Sequence, residues 1–477
     1  MKKQNKKFLA LCASAVCALS FSQLASAANV VLNNVDPPGL GLNDPTPAAP
    51  VGGNNGATVG EQRLNVFQAA VNKWGATLVS DVTIVVQASF SPRPCSATSG
   101  VLASAGPLQI FSVPDGAFPN VLGDTWYHVA LINSLIGFDA TPGPFDPGPV
   151  AAPFNDDIVA FFNSQLGTPG CLENSAWYYG LDNNQGPGEI DFLSVVLHEI
   201  GHGLGFSEFA SEADGSLFFG LPSIYARYML DTAQGKIFAD MTDAERLQAQ
   251  VAGPDLVWVG PSVTAGAPFA LGPSPSIRIL NPKSLKGTLE VQQASFGPSL
   301  RVNGGMTGQV KLVDDGTGVG TDACEPIQNN LNGKIALIDR GGCAFTSKVL
   351  NAQAAGAKGA IVANNSPGGP APMGGFSPFV TIPSVGITLD QGNAIKAAKK
   401  VNLKLILDPD NLAGANADGF VQLYAPTPVQ PGSSKSHFDT SATPNLLMEP
   451  SITPDLESAT DLDLTPALFE DIGWVLQ

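Results

Sequence analysis

Asp191-Phe-Leu-Ser-Val-Val-Leu-His198-Glu199-Ile-Gly-His202-Gly-Leu-Gly205-Phe206 is the stretch around which the chain is organised. In a helix, residues four apart lie about one turn apart. His198 and His202 then point to one side and can share a metal ion. Glu199 sits about 100° round the axis from His198, where it reaches a water at that metal without competing as a ligand. Residues 190–197 are apolar enough to bury the helix in a core. Gly203 and Gly205 are expected to stop it just after the second His. The plain alternative is a chance His pair on an ordinary helix. With only 4 His in the chain, an accidental His-Glu-x-x-His is rare.

Upstream, residues 28–57 are rich in Asn, Pro and Gly without periodicity and read as an extended entry. Thr58-Val-Gly-Glu61 has the form of a capping box. It opens a helix with Leu64, Phe67, Ala70, Val71 and Trp74 on one face, which Gly75 is expected to end. Residues 82–90 form a β-branched run and read as a strand. Residues 91–155 are loop-rich, with a short helix near His128. Nothing near His128 has ligand spacing, so it reads as structural or solvated. Residues 157–163 read as a second strand, and the aromatic run 175–180 precedes a turn. Helix, strand, strand and His-bearing helix make an α/β order.

Downstream, residues 207–436 hold no His. Thr242-Asp-Ala-Glu245 caps a helix expected to reach Val251. Residues 255–412 read as a separate small α/β unit. Its strands are expected at 333–340, 359–364, 382–387 and 401–407, and its helices at 345–355 and 392–400. A last helix has Thr465 as its cap, Pro466 in its first turn, Leu468, Phe469 and Ile472 on its buried face, and Gly473 as its stop.

Composition sets the address. The chain has 477 residues, a size for two or three domains. Residues 1–27 have the form of a secretory leader: Lys2, Lys3, Lys6 and Lys7, an apolar run over 8–21, then Ala25-Ser26-Ala27. That run is too short for a membrane anchor, so the protein is expected to be secreted, extracellular or periplasmic. The formal net charge of −17 becomes −21 once the four leader Lys are removed. Such a surface repels nucleic acid and anionic membranes. The leader carries Cys12 and Cys17 away. Cys95, Cys171, Cys324 and Cys343 remain, an even count that suggests two disulfides. Proximity favours Cys324–Cys343 and Cys95–Cys171. The rival role for Cys95 is a free thiol that blocks the metal.

His198-Glu-Ile-Gly-His202-Gly-Leu-Gly205 resembles the metzincin signature of zinc peptidases. Most metzincins carry a third His three residues after the Gly; Glu208 stands there in this chain. The departure is similar to leishmanolysin-type metzincins, in which an insertion separates the Gly from a third His in a Ser-His-aromatic step. Ser436-His437-Phe438 matches that step. Leu447-Met448-Glu449-Pro450, with Met448 eleven residues after His437, matches their Met-turn. The run 464–474 looks like the family's closing helix.

The inserted unit resembles a protease-associated (PA) domain through Cys324, 333–345, Lys348, 351–357 and 382–386. The resemblance implies an α/β (α+β) catalytic domain formed by 28–254 and 413–477, with a small α/β PA domain at 255–412 between them. It implies one Zn2+ on His198, His202 and His437, with Glu208 as the alternative ligand, Gly205 at the helix turn and Met448 as floor. Glu199 would be general base to a zinc-activated water that hydrolyses peptide bonds. Protein or peptide substrates are then the partners, and the resemblance implies the PA domain as a further contact for them. The alternatives are a non-catalytic binding or adhesion protein on the same scaffold, and a zinc hydrolase of a non-peptide amide.

Overall fold

The computed structural model describes residues 26–477 apart from 142–155, 302–304, 317, 372, 376 and 454. All but the last two residues of the expected leader, and the end of the loop-rich stretch, lie outside the described residues. Among the described residues no helix is long and apolar enough to cross a membrane.

The architecture is mixed α/β. A four-stranded sheet contains β1 (Val30–Asn34), β2 (Ile84–Ser91), β3 (Ala103–Pro107) and β4 (Ile158–Asn163), in the order β1-β2-β4-β3. The first three in that order are parallel, and β3 runs antiparallel along the edge beside β4. Both β1 and β3 fall where the sequence suggested loop. Val30-Val-Leu-Asn-Asn is short and half polar, and Ala103-Ser-Ala-Gly-Pro lacks β-branched residues. Pairing with β2 and β4, not intrinsic preference, makes them strands.

Helix α1 (Val59–Thr77) starts at Thr58, whose Oγ1 accepts from the Glu61 amide at 3.2 Å. Glu61 reaches back to the Ala57 amide at 2.7 Å, one residue before the position a capping box requires. Gly75 does not end the helix. It is a contact point, because a Cβ there would stand 2.7 Å from the Ala28 carbonyl oxygen. Helix α2 (Val129–Ile136) follows His128 directly.

Helix α3 (Phe192–Leu204) carries the His-Glu-x-x-His stretch and is buried along its whole length. Asp191 caps it, accepting from the Ser194 amide at 2.7 Å. The Trp74 indole of α1 donates to the Leu197 carbonyl at 3.2 Å and fixes the two helices together. Gly203 lies inside α3 and does not stop it. A Cβ on Gly203 would meet Ile158 of β4 at 2.3 Å, so glycine here lets the helix lie down on the sheet. Gly205 does end the helix, with φ 147°.

Helix α4 (Asp243–Ala249) has both halves of its capping box, Thr242 and Glu245, and stops short of Val251. Helices α5 (Pro261–Ala270) and α8 (Thr465–Ile472) are joined through Asp471. Its carboxylate accepts from the Trp258 indole at 2.9 Å, the Ser262 amide at 2.7 Å and the Val263 amide at 3.2 Å. Leu256, Trp258, Val263, Ala267 and Leu271 belong to the same core as α3. The first residues of the stretch read as the inserted unit therefore pack with the His-bearing half. Thr465 is the first helical residue of α8 rather than its cap; Leu464 holds the cap position.

The inserted unit has its own cores from Pro273 onward. Its strands are β5 (Pro273–Asn281), β6 (Gly287–Glu290), β7 (Gln292–Gln293), β8 (Met306–Leu312), β9 (Ile335–Asp339), β10 (Gly359–Ala363), β11 (Ser384–Ile387) and β12 (Asn402–Leu412). They form one sheet in the order β6-β5-β12-β8-β9-β10-β11-β7. The run β8-β9-β10-β11 is parallel, with α6 (Phe345–Ala354) crossing between β9 and β10. Strand β9 shows why its sequence is apolar throughout: Ala336 and Ile338 face one core, Ile335 and Leu337 the other. Helix α7 (Leu389–Ala397) begins three residues before the expected start, because Thr388 and Gln391 form a capping box.

The close seat of α3 on β4 gives a direct test. Gly203→Ala is expected to destabilise the protein by about 1–3 kcal/mol through overpacking, and adding Ile158→Val should recover part of the loss. Thermal melting checks both; an unchanged midpoint for the single variant contradicts this packing.

Candidate metal centre

Two segments bring three imidazoles together. His198 and His202 come from α3, and His437 comes from beyond the inserted unit. Their Nε2 atoms stand 3.0, 3.2 and 3.3 Å apart. Each Nδ1 faces a backbone carbonyl: His198 to Leu447 at 2.7 Å, His202 to Phe206 at 2.7 Å and His437 to Ser433 at 2.8 Å. A carbonyl only accepts, so each ring carries its proton on Nδ1. All three Nε2 atoms then present lone pairs to one point and cannot hydrogen-bond to each other.

That donor set fits a cation. Nitrogens about 2.0–2.1 Å from a tetrahedral zinc stand about 3.3–3.4 Å from each other. Burial pushes His198 down to about 3 and His202 to about 4, and holds His437 well below its usual value. The rings are neutral near pH 7, the state that binds metal. Among the described residues these three form one group able to hold an ion.

Glu199 lies beside the cluster, 6% exposed, and its Oε2 has no hydrogen-bond partner among the described residues. Burial pushes its carboxyl up to about 8, opposed by the Arg93 guanidinium. A cation among the imidazoles would pull it down again. Met448 is fully buried beneath the helix; its Sδ stands 2.8 Å from where a Gly201 Cβ would be. The Met448 carbonyl accepts from the Phe438 amide at 2.9 Å, so this turn and the His437 segment support each other.

Glu208 lines the same cleft but is not part of the group of three imidazoles. Its carboxylate accepts from the Ala210 amide at 2.9 Å and from the Ser223 hydroxyl. Its amide donates to Ser436 Oγ at 3.1 Å, which ties the chain after α3 to the His437 segment. Lys435, 2% exposed, donates to the Ala210 carbonyl at 2.9 Å across the same junction.

The cluster opens into a cleft of about 730 Å³. Strand β3 and residues 99–102 form one wall; 431–433 and 450–452 line others. Cys95 is bonded to Cys171, so its sulfur is not a free thiol. The second disulfide, Cys324–Cys343, lies in the inserted unit and closes a 19-residue separation.

His128 is fully buried, outside the metal group, with Nε2 2.7 Å from Ser207 Oγ. Sequence reading gave no role to Ser207, to β3 or to Arg93, whose guanidinium bonds Ser104 of β3. No local spacing marks them.

Residues 307–395 match the family described as the PA domain. The chain is 39% identical over 95 residues to the PRADC1-like protein of Drosophila melanogaster, covering 19% of this chain and 45% of that protein. It is 31% identical over 183 residues to Aminopeptidase YwaD of Bacillus subtilis (strain 168), covering 34% of this chain and 38% of that one. The solved structure of BSAP, a zinc aminopeptidase from Bacillus subtilis, matches 30% of this chain and 32% of its own, at 27% identity and a TM-score of 0.23. The chain thus spans less than half the length of these relatives. Residues 307–395, which separate His202 from His437 along the chain, are a PA domain.

Proposed function

We propose that the protein is a secreted zinc endopeptidase of the leishmanolysin-like metzincin type, with the PA domain inserted ahead of its third zinc ligand. The observation that carries this reading is the convergence of three Nε2 lone pairs beside a buried carboxylate with an unengaged oxygen. His198, His202 and His437 hold the ion, Met448 underlies it, and Glu208 is a structural tie. The two disulfides suit an oxidising compartment.

A zinc ion so held supplies a Lewis acid, which acidifies water and polarises a carbonyl oxygen. Glu199 takes a proton from water as its oxygen attacks the peptide carbon. It then delivers that proton to the amine nitrogen as the C–N bond breaks. The carbonyls of Leu447, Phe206 and Ser433 hold the imidazoles in the ligating tautomer. The cleft wall at β3 offers an edge along which an extended peptide can lie.

The likeness to Aminopeptidase YwaD gives a second reading, removal of N-terminal residues. An N-acetylated peptide separates the two: internal cleavage is expected, and attack on free N-termini alone supports the second reading. Glu199→Gln is expected to lower turnover by at least ~10²-fold while zinc content stays at the wild-type level. Near-normal turnover with zinc bound contradicts the role given to Glu199. His437→Ala should lose zinc and proteolysis together, whereas Glu208→Ala should keep zinc bound. Metal analysis of the two purified variants decides between the ligands, and the reverse pattern moves the third ligand to Glu208.

A further inference from the structure

Ser207 sits where two parts of the metal centre meet. The residue before it, Phe206, supplies the carbonyl that orients His202. The residue after it, Glu208, donates its amide to Ser436, the neighbour of His437. Ser207 lines the cleft with His202, Glu208 and His437. Behind it stands His128, fully buried, 2.7 Å away and packed on Phe209 with ring centroids 4.8 Å apart.

The tautomer of His128 decides what Ser207 can do. Burial keeps the ring neutral, so it carries one N–H. Nδ1 is buried and has no hydrogen-bond partner among the described residues. A buried N–H without an acceptor is rarer than an unpaired acceptor, which places the proton on Nε2. His128 therefore donates to Ser207 Oγ. The hydroxyl's own proton is left to donate elsewhere, and Ser207, half-buried, is one of the residues that line the cleft. An N–H donor behind a hydroxyl also polarises it, as chains of hydrogen bonds do.

We propose that Ser207 is a substrate-contacting hydrogen-bond donor, taking a backbone carbonyl oxygen of the bound peptide, and that His128 is the positioning residue that turns its hydroxyl into the cleft. This rests on the peptidase reading of the same cleft. It gives a function to a histidine that the metal does not use and to a serine 79 residues further along the chain.

The test uses the full chain carrying Glu199→Gln, loaded with zinc, so that peptide binds without turnover. The probe is the N-acetylated library peptide that the wild type cleaves fastest, with affinity read by calorimetry. Adding Ser207→Ala should weaken binding about 3–10-fold, the range of one hydrogen bond. Ser207→Thr, which keeps the hydroxyl, should restore most of it. His128→Leu should weaken binding to a similar extent and add little on top of Ser207→Ala, because both remove the same contact. Zinc content and melting midpoint confirm folding. If His128→Leu does not fold, the Ala and Thr variants at 207 still decide the matter. Unchanged affinity in Ser207→Ala overturns the proposal and leaves the peptidase reading intact. Absence of peptide binding by the Glu199→Gln parent overturns both.

Discussion

Three imidazole nitrogens with lone pairs aimed at one point repel each other unless a cation lies between them. The protein imposes that arrangement from three directions. Each ring is held by a carbonyl from a different piece of chain: the Met448 turn, the exit from α3 and the 433 segment. Helix α3 in turn is fixed by its burial between α1 and the sheet, at a spacing that only glycine at 203 allows. The site is thus a property of the whole first core, including residues near the C-terminus.

The inserted unit, which contains the PA domain of residues 307–395, enters between the second and third imidazoles without entering the first core. Its cores lie on the two faces of its own sheet. Its ends are adjacent: the Gly272 carbonyl accepts from the Ala413 amide at 2.9 Å. A folded insertion with joined ends adds little to the entropy of bringing His437 to α3, because closure cost grows slowly with length. The first core tolerates a large insertion at this point because the two strands of chain leave and return together.

Much of this was legible in the sequence where one signal has one meaning. The His-bearing helix and the apolar strands of the PA domain follow from spacing and pattern, whereas the grouping of His437 with Met448 came from the resemblance to leishmanolysin-type metzincins. Signals with two meanings misled. Gly75 and Gly203 read as helix stops, yet both serve close contacts inside helices. Leu256-Val-Trp258 suits a strand in either unit, and only the tertiary partners Asp471 and Tyr228 place it in the first core. Strands β1 and β3 owe their form to neighbours far away in sequence. The pairing of His128 with Ser207 is of the same kind, invisible until the fold brings the two residues together.

The central claim is that His198, His202 and His437 share one zinc ion. X-ray absorption at the zinc edge on the purified, unchelated protein tests it most directly. The account predicts one zinc per chain with three histidine nitrogens at about 2.0–2.1 Å and a light oxygen donor completing the shell. A protein that takes up no zinc, or a shell with two histidines and a carboxylate or sulfur in place of the third, would contradict it.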